Sequence, residues 1–425
     1  MEYKKIVLPP YNLHIMRTDK FKTVSVEVYF KRKIEKEEIT IRNFLSRMLN
    51  ETTKEYNTRR AFTIAKQDLY DLSIYGEVLR LGNSSFLSYK LNMLNEKYTE
   101  KGMHEKCFSL FSQMLFNPNI NNNKFDSKSF FNVKEKIATS IKLQKENAFK
   151  YSIIHMLENM EKDSPSSYNM YGYLNDLDNI TEESLYEYYQ SVLNSDRVDV
   201  FIIGDISIDE AKKLVKKYIN IKTIKKPMKT SLLESSTIRK RAKKITEEEK
   251  SYKQSQLVLG FNLEKLTDFE RRYVITIYNT ILGNGPDSRL FNNVREKHSL
   301  AYTVYSGIQL SDNIMYIYAG INEEDYDKAL KLIRKEVLEI QKGNIDINDI
   351  EKAINAYINS VRNMEDSSSD TVFNCFLQQV INSDNFEEKI KKINKVKKED
   401  IIKLSKKIKL NTIFLMRGGN MDETN

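Results

Sequence analysis

Residues 180–205 read ITEESLYEYYQSVLNSDRVDVFIIGD, and residues 396–418 read VKKEDIIKLSKKIKLNTIFLMRG. Each predicts a capped helix, a short turn and then a run of apolar residues short enough to be a buried strand. The same order at nearly the same length, near the ends of the two halves of the chain, is the mark of an internal duplication. The openings of the halves agree. TVSVEVYF (23–30) and QSQLVLGF (254–261) both alternate as half-buried strands do. Further in, SSFLSYKLNML (84–94) leads towards a helix near Glu96–Phe111, and NIMYIYAGI (313–321) leads into EEDYDKALKLIRKEVLEIQ. The offset drifts from about 230 residues to about 214, which insertions in surface loops account for.

Each half thus predicts strand, helix, strand hairpin, helix, long helical hairpin, helix, strand. Strands at both ends of a helical block point to an α+β fold, with helices packed on one face of a mainly antiparallel sheet. Two homologous domains are expected, 1–220 and 246–425, facing each other across a cavity and joined by a basic linker, 221–245. Local signals agree. Thr267 and Glu270 have the spacing of a capping box, and Tyr273, Val274, Ile277 and Ile281 share one face before Gly283 ends the helix. Ile41, Phe44, Leu45, Met48 and Leu49 form a second apolar stripe at helical spacing.

Composition narrows the class. The 425 residues suit two domains of about 200 each, and 40% are hydrophobic, enough for two packed cores. No apolar run approaches the ~18 residues of a membrane span, and the opening MEYKKIVLPPYNLHIMRTDK lacks the apolar core of a signal peptide. A cytoplasmic protein with no membrane association is expected. Cys107 and Cys375 lie far apart, so neither a disulfide framework nor a cysteine-built metal site is supported, and Cys107 reads as a core residue. Lys and Arg number 68 against 59 acids, a net of +9, and much of the excess falls in residues 222–244. That stretch interleaves no aromatic residues, so a solvated linker is favoured over a nucleic-acid strip.

Residues 283–320, GNGPDSRLFNNVREKHSLAYTVYSGIQLSDNIMYIYAG, carry the most specific pattern. The glycine-rich loop, Ser-Arg-Leu-Phe (288–291), Val-Arg-Glu-Lys (294–297) and Leu-Ala-Tyr (300–302) closely resemble the C-terminal domain signature of the insulinase or pitrilysin family of metallopeptidases, which includes the mitochondrial processing peptidase. The resemblance runs in order over nearly the whole chain. It implies that Arg295 and Tyr302 contact substrate carbonyl groups and help stabilise the tetrahedral intermediate, with Gly283 and Gly285 as substrate-binding positions.

Active members of that family carry His-x-x-Glu-His on the first helix, because residues i, i+3 and i+4 share a face where two imidazoles hold zinc beside a carboxylate base. The matching stretch here is Asn43-Phe44-Leu45-Ser46-Arg47. Asn43 is a poor ligand, Ser46 cannot serve as the base, and the Arg47 cation would repel Zn²⁺. The third family ligand, a Glu on a later helix, falls at Thr139 or Ser140, with Glu135 a turn away as a surface carboxylate. His14, His104, His155 and His298 show no metal-ligand spacing and read as surface or packing residues. No metal or other cofactor is expected on this chain.

Two classes of function fit this pattern. In bacterial two-subunit relatives, one subunit bears the zinc motif and its homologue the Arg/Tyr pair. The chain resembles the second kind, as in pairs linked to elongation factor P modification or bacteriocin production. Its expected partners are then a zinc-bearing homologue and an oligopeptide substrate. The alternative is a catalytically inactive scaffold or peptide-holding homologue, in which Arg295 and Tyr302 are ordinary surface and strand residues.

Overall fold

The computed structural model describes residues 1–221, 244–248, 252–285 and 287–418. The expected linker therefore lies almost wholly outside the described residues. The exceptions are Ile221, which is buried in the first core, and Lys244 and Ile245, which already belong to a strand.

The strands in chain order are β1 (Glu2–Leu8), β2 (Tyr11–Arg17), β3 (Thr23–Lys33), β4 (Ser73–Leu81), β5 (Ser84–Leu94), the hairpin β6 (Ile120–Asn121) and β7 (Lys124–Phe125), β8 (Arg197–Gly204), β9 (Lys244–Glu248), β10 (Ser255–Leu263), β11 (Thr303–Gln309), β12 (Ile314–Ile321) and β13 (Ile408–Arg417). Five helices carry the rest of the argument: α1 (Ile39–Met48), α2 (Ser127–Lys142), α3 (Ala148–Met160), α4 (Glu182–Ser195) and α5 (Ser368–Ile381).

The first sheet has the order β1-β2-β8-β3-β5-β4, antiparallel throughout except for β2 beside β8. The second has the order β11-β12-β10-β13-β9, antiparallel except for β13 beside β9. Strand for strand, β4-β5-β3-β8-β2 corresponds to β11-β12-β10-β13-β9, so the duplication read from the sequence is a duplication of topology. The fold is α+β with mainly antiparallel sheets.

Alternation explains how each sheet is covered. On β3, Val24, Val26, Val28 and Phe30 face the main helical core, together with Phe44, Leu45 and Met48 of α1. The capping box forms as expected, Thr267 N–H donating to Glu270 Oε2 at 2.7 Å and Glu270 N–H to Thr267 Oγ1 at 3.2 Å. One boundary differs from expectation. The helix placed near Glu96–Phe111 begins only at Met103, after a short 3-10 turn at Glu96–Tyr98. Gly102, at φ +89° in the left-handed region, is the residue from which the helix starts.

The contiguous division into 1–220 and 246–425 does not describe the packed units. The first unit holds residues 1–142, 169 to the start of the linker, and 366–383; the second holds 143–168, the described residues of 244–365, and 384–418. In each half the second helix of the long hairpin joins the other half's sheet. In the second unit, Ile153, Met156, Leu157 and Met160 of α3 pack with Val258, Tyr318, Phe414 and Met416 on the sheet face away from the main core. In the first, Val372, Cys375 and Phe376 of α5 pack with Met16, Tyr29, Phe86, Phe201 and Ile203. Gly260 on β10 makes room for this packing: a Cβ there would lie 2.5 Å from the Sδ atoms of Met156 and Met160. Among the described residues, no helix is long and apolar enough to cross a membrane.

Candidate functional site

Helix α1 positions the three residues that stand where a zinc motif would be. Its start is fixed by a buried ionic network. The Asp196 carboxylate accepts from Arg32 Nε at 2.7 Å and from Arg42 Nη2 at 2.9 Å, and Arg32 Nη1 reaches Glu38 at 2.9 Å. Burial works to lower the basicity of both guanidiniums, yet Asp196 beside them holds both above their ordinary value.

Beyond that anchor, each former metal position has a protein partner. Asn43 Nδ2 donates to the Tyr171 carbonyl at 2.7 Å, and Ser46 Oγ folds back onto the Asn43 carbonyl at 2.8 Å. Arg47 Nη1 crosses to α2 and donates to Ser140 Oγ at 3.2 Å. Ser140 is one of the two positions matched to the family's third ligand, so the structure brings the first-helix and later-helix positions together. Thr139 and Glu135 are exposed. An amide, two hydroxyls and a guanidinium offer zinc neither an imidazole nor a carboxylate, and the cation opposes the metal. These residues do not fit the metal that active relatives carry.

Arg295 and Tyr302 meet in the second unit. Arg295 lies in a π-helical stretch, Phe291–Lys297, and the chain leaves it through two backbone bonds: Ser299 N–H to the Arg295 carbonyl at 3.0 Å and Leu300 N–H to the Val294 carbonyl at 2.9 Å. Tyr302 N–H then donates to the Gly320 carbonyl at 3.0 Å, which starts the pairing of β11 with β12. Leu290, Val294, Ala301 and Val304 turn into the core, leaving Arg295 and Tyr302 outside it. The guanidinium carbon sits 4.7 Å from the Phe291 ring centre and 6.0 Å from that of Tyr302. Tyr302 is 73% exposed, and the Arg295 side chain 41%. Both line an open cleft of about 400 Å³ with Gln254, Glu296 and Asn322. Arg295 Nε is 3.6 Å from Glu296 Oε1, which biases the guanidinium without burying it.

The two glycines differ. Gly283 is buried, accepts from Ser306 N–H at 3.2 Å, and would put a Cβ 2.6 Å from Ser306 Oγ, so packing against β11 accounts for it. Gly285 is exposed, with open space around its Cα.

Elsewhere the reactive side chains are satisfied. Burial pushes the thiols of Cys107 and Cys375 up to about 12, which removes the thiolate a nucleophile needs. Among the described residues, one group of three possible metal-ligating side chains stands together: Glu96, His104 and Glu210. His104 Nε2 faces the Glu96 backbone N–H at 3.2 Å and must accept from it, so Nδ1 carries the hydrogen and donates to Glu210 at 2.9 Å. Both ring nitrogens are committed, which leaves no lone pair for an ion. His14 is likewise held, by Tyr3 at 2.9 Å and Asp199 at 3.2 Å. The Asp196 network and the helix exchange had no sequence signal, since their partners lie far apart along the chain.

Comparison with known proteins agrees with this geometry. Residues 179–357 match the family described as Peptidase M16 inactive domain. The chain is 28% identical to "Probable inactive metalloprotease YmfF" of Bacillus subtilis, over 95% of each protein. A solved structure of a conserved protein from Enterococcus faecalis covers 99% of this chain and 100% of its own at 26% identity, with a TM-score of 0.92. For the fold alone, an M16 inactive-domain structure from Pseudomonas fluorescens covers 100% of both chains at 16% identity, with a TM-score of 0.81. Over nearly its whole length the chain is similar to a protein named as a probable inactive metalloprotease, and residues 179–357 match the M16 inactive domain.

Proposed function

We propose that the chain is the non-metal subunit of a two-subunit peptidase. It binds an oligopeptide and presents Arg295 and Tyr302 to it, while a homologous His-x-x-Glu-His subunit carries the zinc. The observation that carries this reading is a contrast: Arg295 and Tyr302 converge on an open cleft, whereas α1 offers no ligand set. A guanidinium steadied by the Phe291 ring can clamp a peptide carbonyl through its fork of N–H donors. The Tyr302 hydroxyl, held by an exposed ring at the mouth of a strand, can donate to an oxygen as charge develops on it. Neither group needs to lose a proton to do so.

The direct test is reconstitution. The chain is mixed with the zinc-bearing homologue from the same genome, sized at micromolar concentration, and assayed on a peptide library. Association and cleavage that requires both chains support the reading. Lack of association, or full cleavage by the homologue alone, removes it. The name of the Bacillus relative favours a second reading, a scaffold or peptide holder without turnover. Binding of peptides by the complex with no product would select it.

A further inference from the structure

We propose that a groove on the first unit is a docking site for an amphipathic helix of another protein chain, apolar on one face and carrying Lys or Arg along one flank. The groove lies between the helix Arg59–Gln67 and the helix Met103–Phe116 and holds about 800 Å³, twice the cleft at Arg295. Its two walls are tied at both ends. Lys54 N–H donates to the Asn117 carbonyl at 2.8 Å, and the Tyr70 hydroxyl donates to Glu100 at 3.0 Å. The helices therefore run side by side in opposite directions.

Between these ties the lining residues are small. Ala61 and Ala65 stand one turn apart on one wall, and Ser109 lines the other. Small side chains on facing helices let a third helix settle between them. The lined part of the longer wall, from Gly102 to Gln113, covers three turns, about 16 Å. An extended peptide has no strand edge to join here, because both walls are helices that satisfy their own backbone groups. A helix laid into a groove is the mode of recognition that remains.

Apolar surface and charge select the chemistry of that helix. Ile64 lines the groove at 44% exposure, with the less exposed Leu69 and Leu110, so an apolar face laid over them leaves water on both sides. The charges on the shorter wall are carboxylates. Glu55 and Asp68 are exposed, and among the described residues neither forms an ion pair; the nearby Arg59 is instead 3.9 Å from Glu51. Both carboxylates act on the Tyr56 hydroxyl, and together with burial they raise it above its ordinary value. On the opposite wall Lys217 holds Glu105 at 3.2 Å and Lys106 stands beside it, so no free anion is left there. In a chain of net charge +9, two unpaired carboxylates along one side of an apolar groove complement a cationic flank.

The test uses the full chain and three fluorescein-labelled peptides of about 18 residues, long enough to be helical. The first has a leucine stripe at helical spacing with Arg along one flank, the second has Glu in place of Arg, and the third scrambles the first so that the stripe is lost. Anisotropy at low salt should show the first bound about tenfold or more tightly than the scramble. It should also bind about fivefold or more tightly than the Glu peptide. Ile64→Glu should weaken the first peptide about tenfold or more, and Ile64→Ser gives the same reading without a new charge should Ile64→Glu lower the thermal midpoint. Glu55→Gln with Asp68→Asn should erase the preference for Arg over Glu and keep the preference for the stripe. The idea fails if no striped peptide binds, if the scramble binds as tightly, or if the groove variants leave binding unchanged. It fails too if the chain pairs with itself and Ile64→Glu separates the pair, which would make a second copy the occupant. These readouts involve neither Arg295 nor Tyr302, so the peptidase reading stands or falls separately.

Discussion

Arg47 of α1 and Ser140 of α2 are 93 residues apart in sequence and joined by a hydrogen bond of 3.2 Å. The bond links two positions matched to zinc ligands in active relatives and fills them with groups that cannot bind zinc.

The purified chain is therefore expected to hold no stoichiometric zinc. Replacing Asn43→His, Ser46→Glu, Arg47→His and Ser140→Glu together should create a site where the structure brings these positions together. Elemental analysis checks both. Tight, stoichiometric zinc in the unaltered chain would contradict the reading of α1, and absence of zinc from the fourfold variant would contradict the placement of Ser140.

Asp196 is fully buried between two arginines. Asp196→Asn leaves the buried Arg42 guanidinium without a carboxylate, while Arg32 keeps Glu38, and should destabilise the first unit by about 3–5 kcal/mol, measured by denaturant unfolding. A loss below about 1 kcal/mol would mean that water or another acid compensates Arg42.

The exchange of helices predicts coupling between Gly260 and Met156, whose contact exists only if α3 lies on the second sheet. Gly260→Ala crowds Met156 and Met160, and Met156→Ala relieves part of that crowding. A double-mutant cycle should give an interaction of about 0.5–3 kcal/mol. Additive losses would place α3 elsewhere.

Glu27 is buried on β3 beside Tyr29 and Lys90. Burial raises its carboxyl above the ordinary 4.5, and Lys90 and the Tyr29 hydroxyl only partly offset this. The neutral form is thus favoured in the fold, so this contribution is complete below pH 4.5 and is lost as pH rises through the raised value. Glu27→Gln keeps a neutral side chain at every pH. Relative to that variant, wild type should lose stability as pH climbs upward from about 4.5. A pH-independent difference would show that Glu27 does not titrate above its usual range.

The strands were legible because alternation marks them: SSFLSYKLNML became β5 residue for residue, and the apolar runs before Gly204 and Gly418 became the strands beside each sheet's centre. The helix exchange was hidden for a physical reason. The apolar stripe of α3, with Met156 and Met160, has the same spacing whichever sheet it covers. Arg42 was hidden too, sitting within the polar side of an amphipathic pattern while its partner Asp196 lies 154 residues away. The Arg295/Tyr302 pair could be named from its motif, but its exposure depends on Val294 and Ala301 turning inward, which only packing decides.

The central claim is that Arg295 and Tyr302 act on a peptide cut at a partner's metal. The measurement is single-turnover cleavage by the reconstituted two-chain complex with Tyr302→Phe, a change that keeps the ring and removes one donor. Association should be unchanged, and the rate should fall by about 10²–10³, a loss of roughly 2.7–4 kcal/mol in transition-state stabilisation. Wild-type turnover in that complex, and again when Arg295→Ala is added, would contradict the claim and leave the pair as surface structure.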